Sequence, residues 1–255
     1  MRSFYFPDPL PEVGAVVPLT DELAKHLLRV LRLAPGERIE LFNGSGRVVE
    51  AVLLDDTRVT VETVRDCPAP ACELTLIQGL PKGEKVELIL QKGTEVGVNR
   101  FFLAGMQRSV GLLKSERREK RLQRWNRVIQ EAARQCRQFH LPQLFICSTL
   151  ADALAQVDAD LKLLLWEEGR VSLPEVVPQY LPQRIAVLVG PEGGVSETEV
   201  AMAQAEGFQP IGLGPRILRT ETAGLAVMAI LQYLYGDLTN VSRFERTAVQ
   251  GKEKS

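Results

Sequence analysis

The spacing of apolar residues changes near residue 70 and divides the chain into two regions with different patterns. Before that point apolar and polar positions mostly alternate, the period of strands with one buried face. Arg38-Ile-Glu-Leu-Phe42, Arg47-Val-Val-Glu-Ala-Val-Leu-Leu54 and Arg58-Val-Thr-Val-Glu-Thr-Val64 read as a meander of three strands with turns at Asn43-Gly-Ser-Gly46 and Asp55-Asp56. Ahead of them Thr20, Asp21 and Glu22 open a short helix, whose Leu23, Leu27, Leu28 and Leu31 share one face until Pro35-Gly36 stops it. Residues 1–70 are thus predicted to form a small β-barrel.

The stretch Cys67-Pro-Ala-Pro-Ala-Cys72 interrupts both periods, because its prolines withhold amide donors and restrict the residues before them. A domain boundary is predicted there. From 71 to 240 strands alternate with helices: strands at Leu74–Gln78, Arg100–Ala104, Leu161–Trp166 and Arg184–Val189, helices at Gly83–Val96 and Ser115–Phe139. Such alternation predicts an α/β domain with a mostly parallel sheet and helices on both faces. The polar residues 241–255 read as a flexible tail.

In the long helix Leu122, Trp125, Ile129, Ala132 and Cys136 fall on one side and Arg117, Lys120, Arg124, Arg127 and Arg134 on the other. Charge changes what this means. The whole chain carries a net charge of −1, yet residues 107–137 hold ten Lys or Arg against three acids. A solvated face and a phosphate-tracking stripe both fit, and the one-signed excess favours the stripe. Four cysteines form no Cys-x-x-Cys pair, and with only His26 and His140 beside them no metal site is expected. No window reaches the roughly 18 apolar residues of a membrane helix, so a cytoplasmic protein is expected.

Two glycine-rich turns concentrate the candidate chemistry. Gly190-Pro-Glu-Gly-Gly194 follows the strand ending at Val189 and leads through Ser196-x-x-Glu199, a capping box, into a helix that Gly207 ends. Gly212-Leu-Gly214-Pro-Arg216 follows Phe208–Leu213 and leads into a long helix from about Thr222, with Thr220 or Thr222 as its N-cap. Both turns sit at carboxyl ends of strands, where open α/β sheets bind ligands. Neither is a phosphate loop or a Gly-x-Gly-x-x-Gly fingerprint, which disfavours nucleoside triphosphates and dinucleotides. What remains is a pocket of backbone groups suited to an uncharged base and ribose, with Glu192, Arg219 and Glu221 nearby. Glycines that merely make tight turns are the alternative.

Gly190–Gly194 and Leu213-Gly-Pro-Arg-Ile-Leu-Arg-Thr-Glu-Thr-Ala223 closely resemble the signature of the RsmE family, small-subunit (16S) ribosomal RNA uracil-N3 methyltransferases of the SPOUT class. The resemblance extends to His26-Leu-Leu-Arg-Val-Leu-Arg32, Gln91–Gly97, Arg108-Ser109 and Glu131–Gln135 ahead of Pro142. It implies a PUA-like N-terminal barrel for RNA, a trefoil-knotted sheet, a homodimer, and S-adenosylmethionine as cofactor. Carried over position by position, the cofactor contacts are Leu165; Gly190, Pro191, Glu192 and Gly193; Leu213 and Gly214; and Leu218, Arg219, Thr220, Glu221, Thr222 and Ala223. Arg29 and Arg32 join the basic helix as RNA contacts. The implied partner is 16S ribosomal RNA, naked or in the small subunit.

Uracil N3 is a poor nucleophile while protonated, so a nearby positive charge that stabilises the O2/O4 anion is required. Arg219 or Arg108 is the candidate for that charge and Glu95 for the proton acceptor; alternatively Arg219 pairs with Glu192 or Glu221. A SPOUT enzyme acting on a 2′-hydroxyl or on transfer RNA, and a non-catalytic RNA-binding module, are the alternatives.

Overall fold

The computed structural model describes residues 1–109 and 115–239, with the side chains of 115–117 excepted. The expected tail at 241–255 lies outside the described residues. Two compact units divide the described residues: 1–69 with 133–141, and 70–109 and 115–132 with 142–239. The end of the long basic helix and the segment after it thus group with the first unit.

In the first unit β1 (Arg2–Tyr5), β2 (Val16–Pro18), a short helix α1 (Asp21–Lys25), β3 (Arg38–Phe42), β4 (Arg47–Leu53) and β5 (Arg58–Asp66) build one five-stranded sheet of order β1-β3-β4-β5-β2. The three predicted strands form the antiparallel centre, and β1, which the sequence reading missed, adds parallel to β3. Thr20 caps α1 by accepting the Leu23 amide, as its residue type predicts. The helix does not continue to Pro35. It widens into a π-helical turn, His26–Val30, that seats Leu27 in the core with Phe4, Ile39, Leu41, Val49 and Val59.

The second unit contains β6 (Glu73–Gly79), α2 (Lys85–Glu95), β7 (Arg100–Ala104), α3 (Ser115–Cys136), whose last turn groups with the first unit, and β8 (Gln143–Cys147). These are followed by α4 (Leu150–Leu154), β9 (Leu161–Leu165), β10 (Val171–Ser172), α5 (Leu173–Val176), β11 (Arg184–Val189), α6 (Glu197–Ala205), β12 (Gln209–Gly212) and α7 (Thr220–Tyr235). The seven-stranded sheet has the order β10-β12-β9-β11-β6-β7-β8 and is parallel at every rung. Parallel strands covered on both faces need apolar residues at every position, which is why these segments read as continuous apolar runs.

Alternation assigns the faces. Ile77, Ala186 and Leu188 pack with residues of α4 and α6, while their neighbours Leu76 and Val189 face Gly224 of α7, where α2 also packs. Element ends shift from those expected by up to three residues, the largest shift being α3, which ends at Cys136 instead of Phe139.

The order of the strands carries one unusual feature. β9 and β10 are separated by only residues 166–170, yet β12 is paired between them. The linking segment therefore crosses the end of β12: the Trp166 amide donates to the Ile211 carbonyl at 3.0 Å, and Gly169 lies directly against Ile211 and Gly212.

Candidate active site

Three strand ends, those of β9, β11 and β12, open into one cavity of about 490 Å³, within the size range of small-molecule sites. The first turn contributes Gly190, Pro191, Glu192, Gly194 and Val195, and the second contributes Gly212 to Thr220. Gly194 and Gly214 hold φ of +76° and +79°, a left-handed conformation in which an L side chain is strained. Between the turns the walls are aliphatic: Leu165, Val189, Ile211, Leu213 and Leu218. Main-chain groups on a greasy floor suit the flat base and ribose of a nucleoside, the ligand chemistry predicted from the absence of a phosphate loop.

The two turns are tied together from below. Gln78, at the carboxyl end of β6 and 1% exposed, donates from Nε2 to Thr220 Oγ1 at 2.7 Å and to the Gly190 carbonyl at 3.2 Å. Thr220 Oγ1 donates in turn to the same carbonyl at 2.5 Å. Thr220 is therefore not the N-cap of α7. Arg219 takes that place with no side-chain hydrogen bond, and the threonine hydroxyl links the turns instead.

A second tie runs along the rim. Lys85 Nζ reaches Glu192 Oε1 at 3.0 Å and Glu221 Oε2 at 3.2 Å, bridging a residue of each turn. The hydrogen bond to Glu192 raises the Lys85 pKa above its ordinary value. Burial alone would raise that of Glu192, but its own amide, the Lys85 ammonium and the Lys82 amide outweigh burial and hold it below the usual range. Because Lys85 occupies both carboxylates, Arg219 pairs with neither; its guanidinium is exposed at the cavity with no ion pair among the described residues. Arg108 is also exposed and donates from Nη1 to the Gly193 carbonyl at 3.0 Å.

Leu165, Gly190, Pro191, Glu192, Leu213, Gly214, Leu218, Arg219, Thr220 and Ala223 line the cavity. Gly193, Glu221 and Thr222 do not, although Gly193 holds Arg108 and Glu221 holds Lys85. Glu95 is not brought to the site: it pairs with Lys92 at 2.8 Å, at the far end of the helix whose first residue is Lys85. Ten residues at 1.5 Å each put it about 15 Å along the axis. The proposed RNA contacts whose side chains are described do not line the cavity either. Arg29, Arg32, Lys120 and Arg127 are exposed, Arg124 is paired with Glu87 at 2.6 Å, Arg134 is half-buried, and the Arg117 side chain lies outside the described residues.

Sequence reasoning missed Lys85, Gln78 and the crossing segment Trp166–Gly169. A signal existed for two of them. Gln78 is the lone amide in the apolar run Leu74–Gly79, and Lys85 opens a helix just past a strand's carboxyl end.

Residues 68–232 match the model of an RNA methyltransferase domain and residues 19–64 that of an RNA methyltransferase PUA domain. Ribosomal RNA small subunit methyltransferase E of a Synechocystis strain is 34% identical over 87% of this chain and 74% of its own, and that of Bacillus subtilis 30% over 84% and 89%. Among solved structures, ribosomal RNA small subunit methyltransferase E from Neisseria gonorrhoeae bound to S-adenosylmethionine is 33% identical, with 93% of this chain and 99% of that one covered and a TM-score of 0.84. A Legionella pneumophila methyltransferase in complex with the same cofactor is 30% identical, with coverage of 92% and 98% and a TM-score of 0.85. Matched by family across both of its units and by relatives along most of their length, the chain belongs to the ribosomal RNA small subunit methyltransferase E family.

Proposed function

We propose that this chain transfers the methyl group of S-adenosylmethionine to N3 of a uridine in small-subunit ribosomal RNA. The observation that carries the reading is a glycine-built cavity with two guanidinium groups beside it, Arg219 and Arg108, neither in an ion pair among the described residues. The residues present fit the cofactor. The aliphatic walls from Leu165 to Leu218 suit adenine, and the amides and carbonyls of Gly190–Glu192 and Leu213–Gly214 suit ribose and the amino-acid end. When bound, the cofactor supplies an electrophilic methyl on a sulfonium.

The chain's own residues do the rest. The ties from Gln78 and Lys85 hold the two turns as one rigid rim, so the nucleophile meets a fixed site and most of the gain comes from alignment. As N3 gives its proton to solvent water, charge spreads over O2 and O4. Arg219, at the amino end of the 16-residue α7, adds its charge to that of the helix terminus, and Arg108 faces the anion from the first turn. Direct attack needs no covalent enzyme intermediate. In a base pair N3 is occupied, so the target uridine must be unpaired or flipped out.

The exposed basic residues of α3 serve as a phosphate track. Ile230, Tyr233 and Leu234, exposed on α7, form an apolar face that a second copy covers in a homodimer. A ribosomal RNA substrate puts the reaction in the cytoplasm.

Mass spectrometry of ribosomal RNA incubated with the protein and labelled cofactor tests the proposal, on naked RNA and on assembled small subunits. A methyl on uracil N3 is expected. A methyl on ribose, or on transfer RNA alone, overturns it, and absence of cofactor binding in calorimetry leaves only an RNA-binding module.

A further inference from the structure

We infer that Glu199 is a positioning residue for Arg108, one buried carboxylate fixing both the helix after the first turn and the strap that lays the arginine across it. This rests on the role given to Arg108 above.

Glu199 stands at the third position of α6 and is 7% exposed. A capping box uses one carboxylate oxygen, and here Oε2 accepts the Ser196 amide at 3.0 Å and its hydroxyl at 2.8 Å. The other oxygen of such a glutamate ordinarily faces water. In this chain Oε1 accepts the Gln107 amide at 2.7 Å, 92 residues away in sequence. Both carboxylate oxygens are thus engaged, one by the two groups of Ser196 and the other by the Gln107 amide.

The strap itself is a tight turn. The Ser109 amide donates to the Met106 carbonyl at 3.0 Å, Ser109 Oγ accepts the Met106 amide at 3.2 Å, and the Met106 side chain is buried. Arg108 follows directly on the amide that Glu199 holds. Gly193 completes the fit, because a Cβ there would lie 2.9 Å from that of Arg108 and 3.3 Å from its carbonyl oxygen. With one end on Glu199 and Nη1 on the Gly193 carbonyl, the guanidinium is aimed along the turn instead of sweeping through solvent.

The test separates this role from simple capping. Glu199→Gln keeps one acceptor oxygen and loses the other. Its single-turnover methylation rate should fall about tenfold to a hundredfold, the range for small misplacements of a reacting group, while cofactor affinity changes little and hydrogen exchange at the Gln107 amide accelerates. Ser196→Ala breaks the cap but leaves the bond to Gln107, and should keep the parental rate. The double variant Glu199→Gln with Arg108→Ala should be no slower than Arg108→Ala alone. Glu199→Asp, too short to reach both partners, serves if the amide variant does not fold. Unchanged exchange at Gln107 overturns the hold, and a Ser196→Ala variant as slow as Glu199→Gln reduces the role to capping. An Arg108→Ala variant at the parental rate removes the catalytic reading of Arg108 instead, with exchange at Gln107 still reporting whether Glu199 holds the strap.

Discussion

Gly169 and Gly212 meet backbone to backbone where the segment leaving β9 crosses β12. A Cβ on Gly169 would stand 2.5 Å from the Ile211 carbonyl carbon and 2.8 Å from the Gly212 nitrogen, and one on Gly212 would strike the Gly169 carbonyl oxygen. Neither glycine has a positive φ, so the requirement is space, not conformation. The atoms in the way are main chain and cannot swing aside.

Gly169→Ala should therefore destabilise the protein by about 1–3 kcal/mol, the range for overpacking. It should weaken cofactor binding as well, since the crossing forms one wall of the cavity. Thermal unfolding together with calorimetric titration of S-adenosylmethionine checks both, and a variant with parental melting temperature and affinity refutes the account.

Thr220→Val removes the hydroxyl that links Gln78 to the Gly190 carbonyl and leaves the side-chain volume nearly unchanged. Gln78 Nε2 then loses its shortest hydrogen bond in a buried place, a loss of about 1–3 kcal/mol. Cofactor affinity should fall by roughly tenfold or more, and RNA affinity should hold. Equal losses for both ligands would show that the threonine supports the whole domain instead of the two turns.

The Lys85 bridge has a definite pH signature. Glu192 is held below its ordinary value of 4.5, so its contribution is complete above 4.5 and disappears as pH falls through the lower folded value. Lys85 is raised above 10.5, so its contribution is complete below 10.5 and disappears as pH rises through the higher folded value. Urea unfolding should show a constant gap between the parent and Glu192→Gln from pH 6 to 8, narrowing below about 4.5. A gap that widens on acidification contradicts the assignment.

Lys120→Ala and Arg127→Ala should each weaken RNA binding and lower the slope of log affinity against log salt by about one. Cofactor affinity should not change, because neither residue lines the cavity. Arg124→Ala tests a mixed case, since it also strips Glu87 of its ion pair. Salt titrations of RNA binding by fluorescence anisotropy read the slopes; an unchanged slope in both single variants makes the stripe an ordinary solvated face.

Local signals on the page in the sequence carried far. The period change near residue 70, the Ser196–Glu199 capping box and the glycines at strand ends are all decided within a few residues, and the matching elements form. What stayed hidden depends on partners distant in sequence. Gln78 meets Thr220 across 142 positions, Glu199 meets Gln107 across 92, and Lys85 finds its two carboxylates more than 100 residues on. Thr220 misled for the same reason: its type predicts a cap, but a buried amide from another strand competes for its hydroxyl and wins. Glu95 misled because a carboxylate's residue type says nothing of its place, and the helix that begins at Lys85 carries it to the far end of its axis, where Lys92 pairs with it.

The insertion of β12 between β9 and β10 also sets an order of events as the chain is made. Its two neighbours are complete by Ser172, whereas β12 itself begins at Gln209. At a synthesis rate of roughly 5–20 residues per second, the strands that will flank it emerge about 2–7 s before it does. For that interval β10, whose neighbour in the sheet is β12, has no partner strand, so the crossing and the cavity wall it forms can close only after Gly212 has been made.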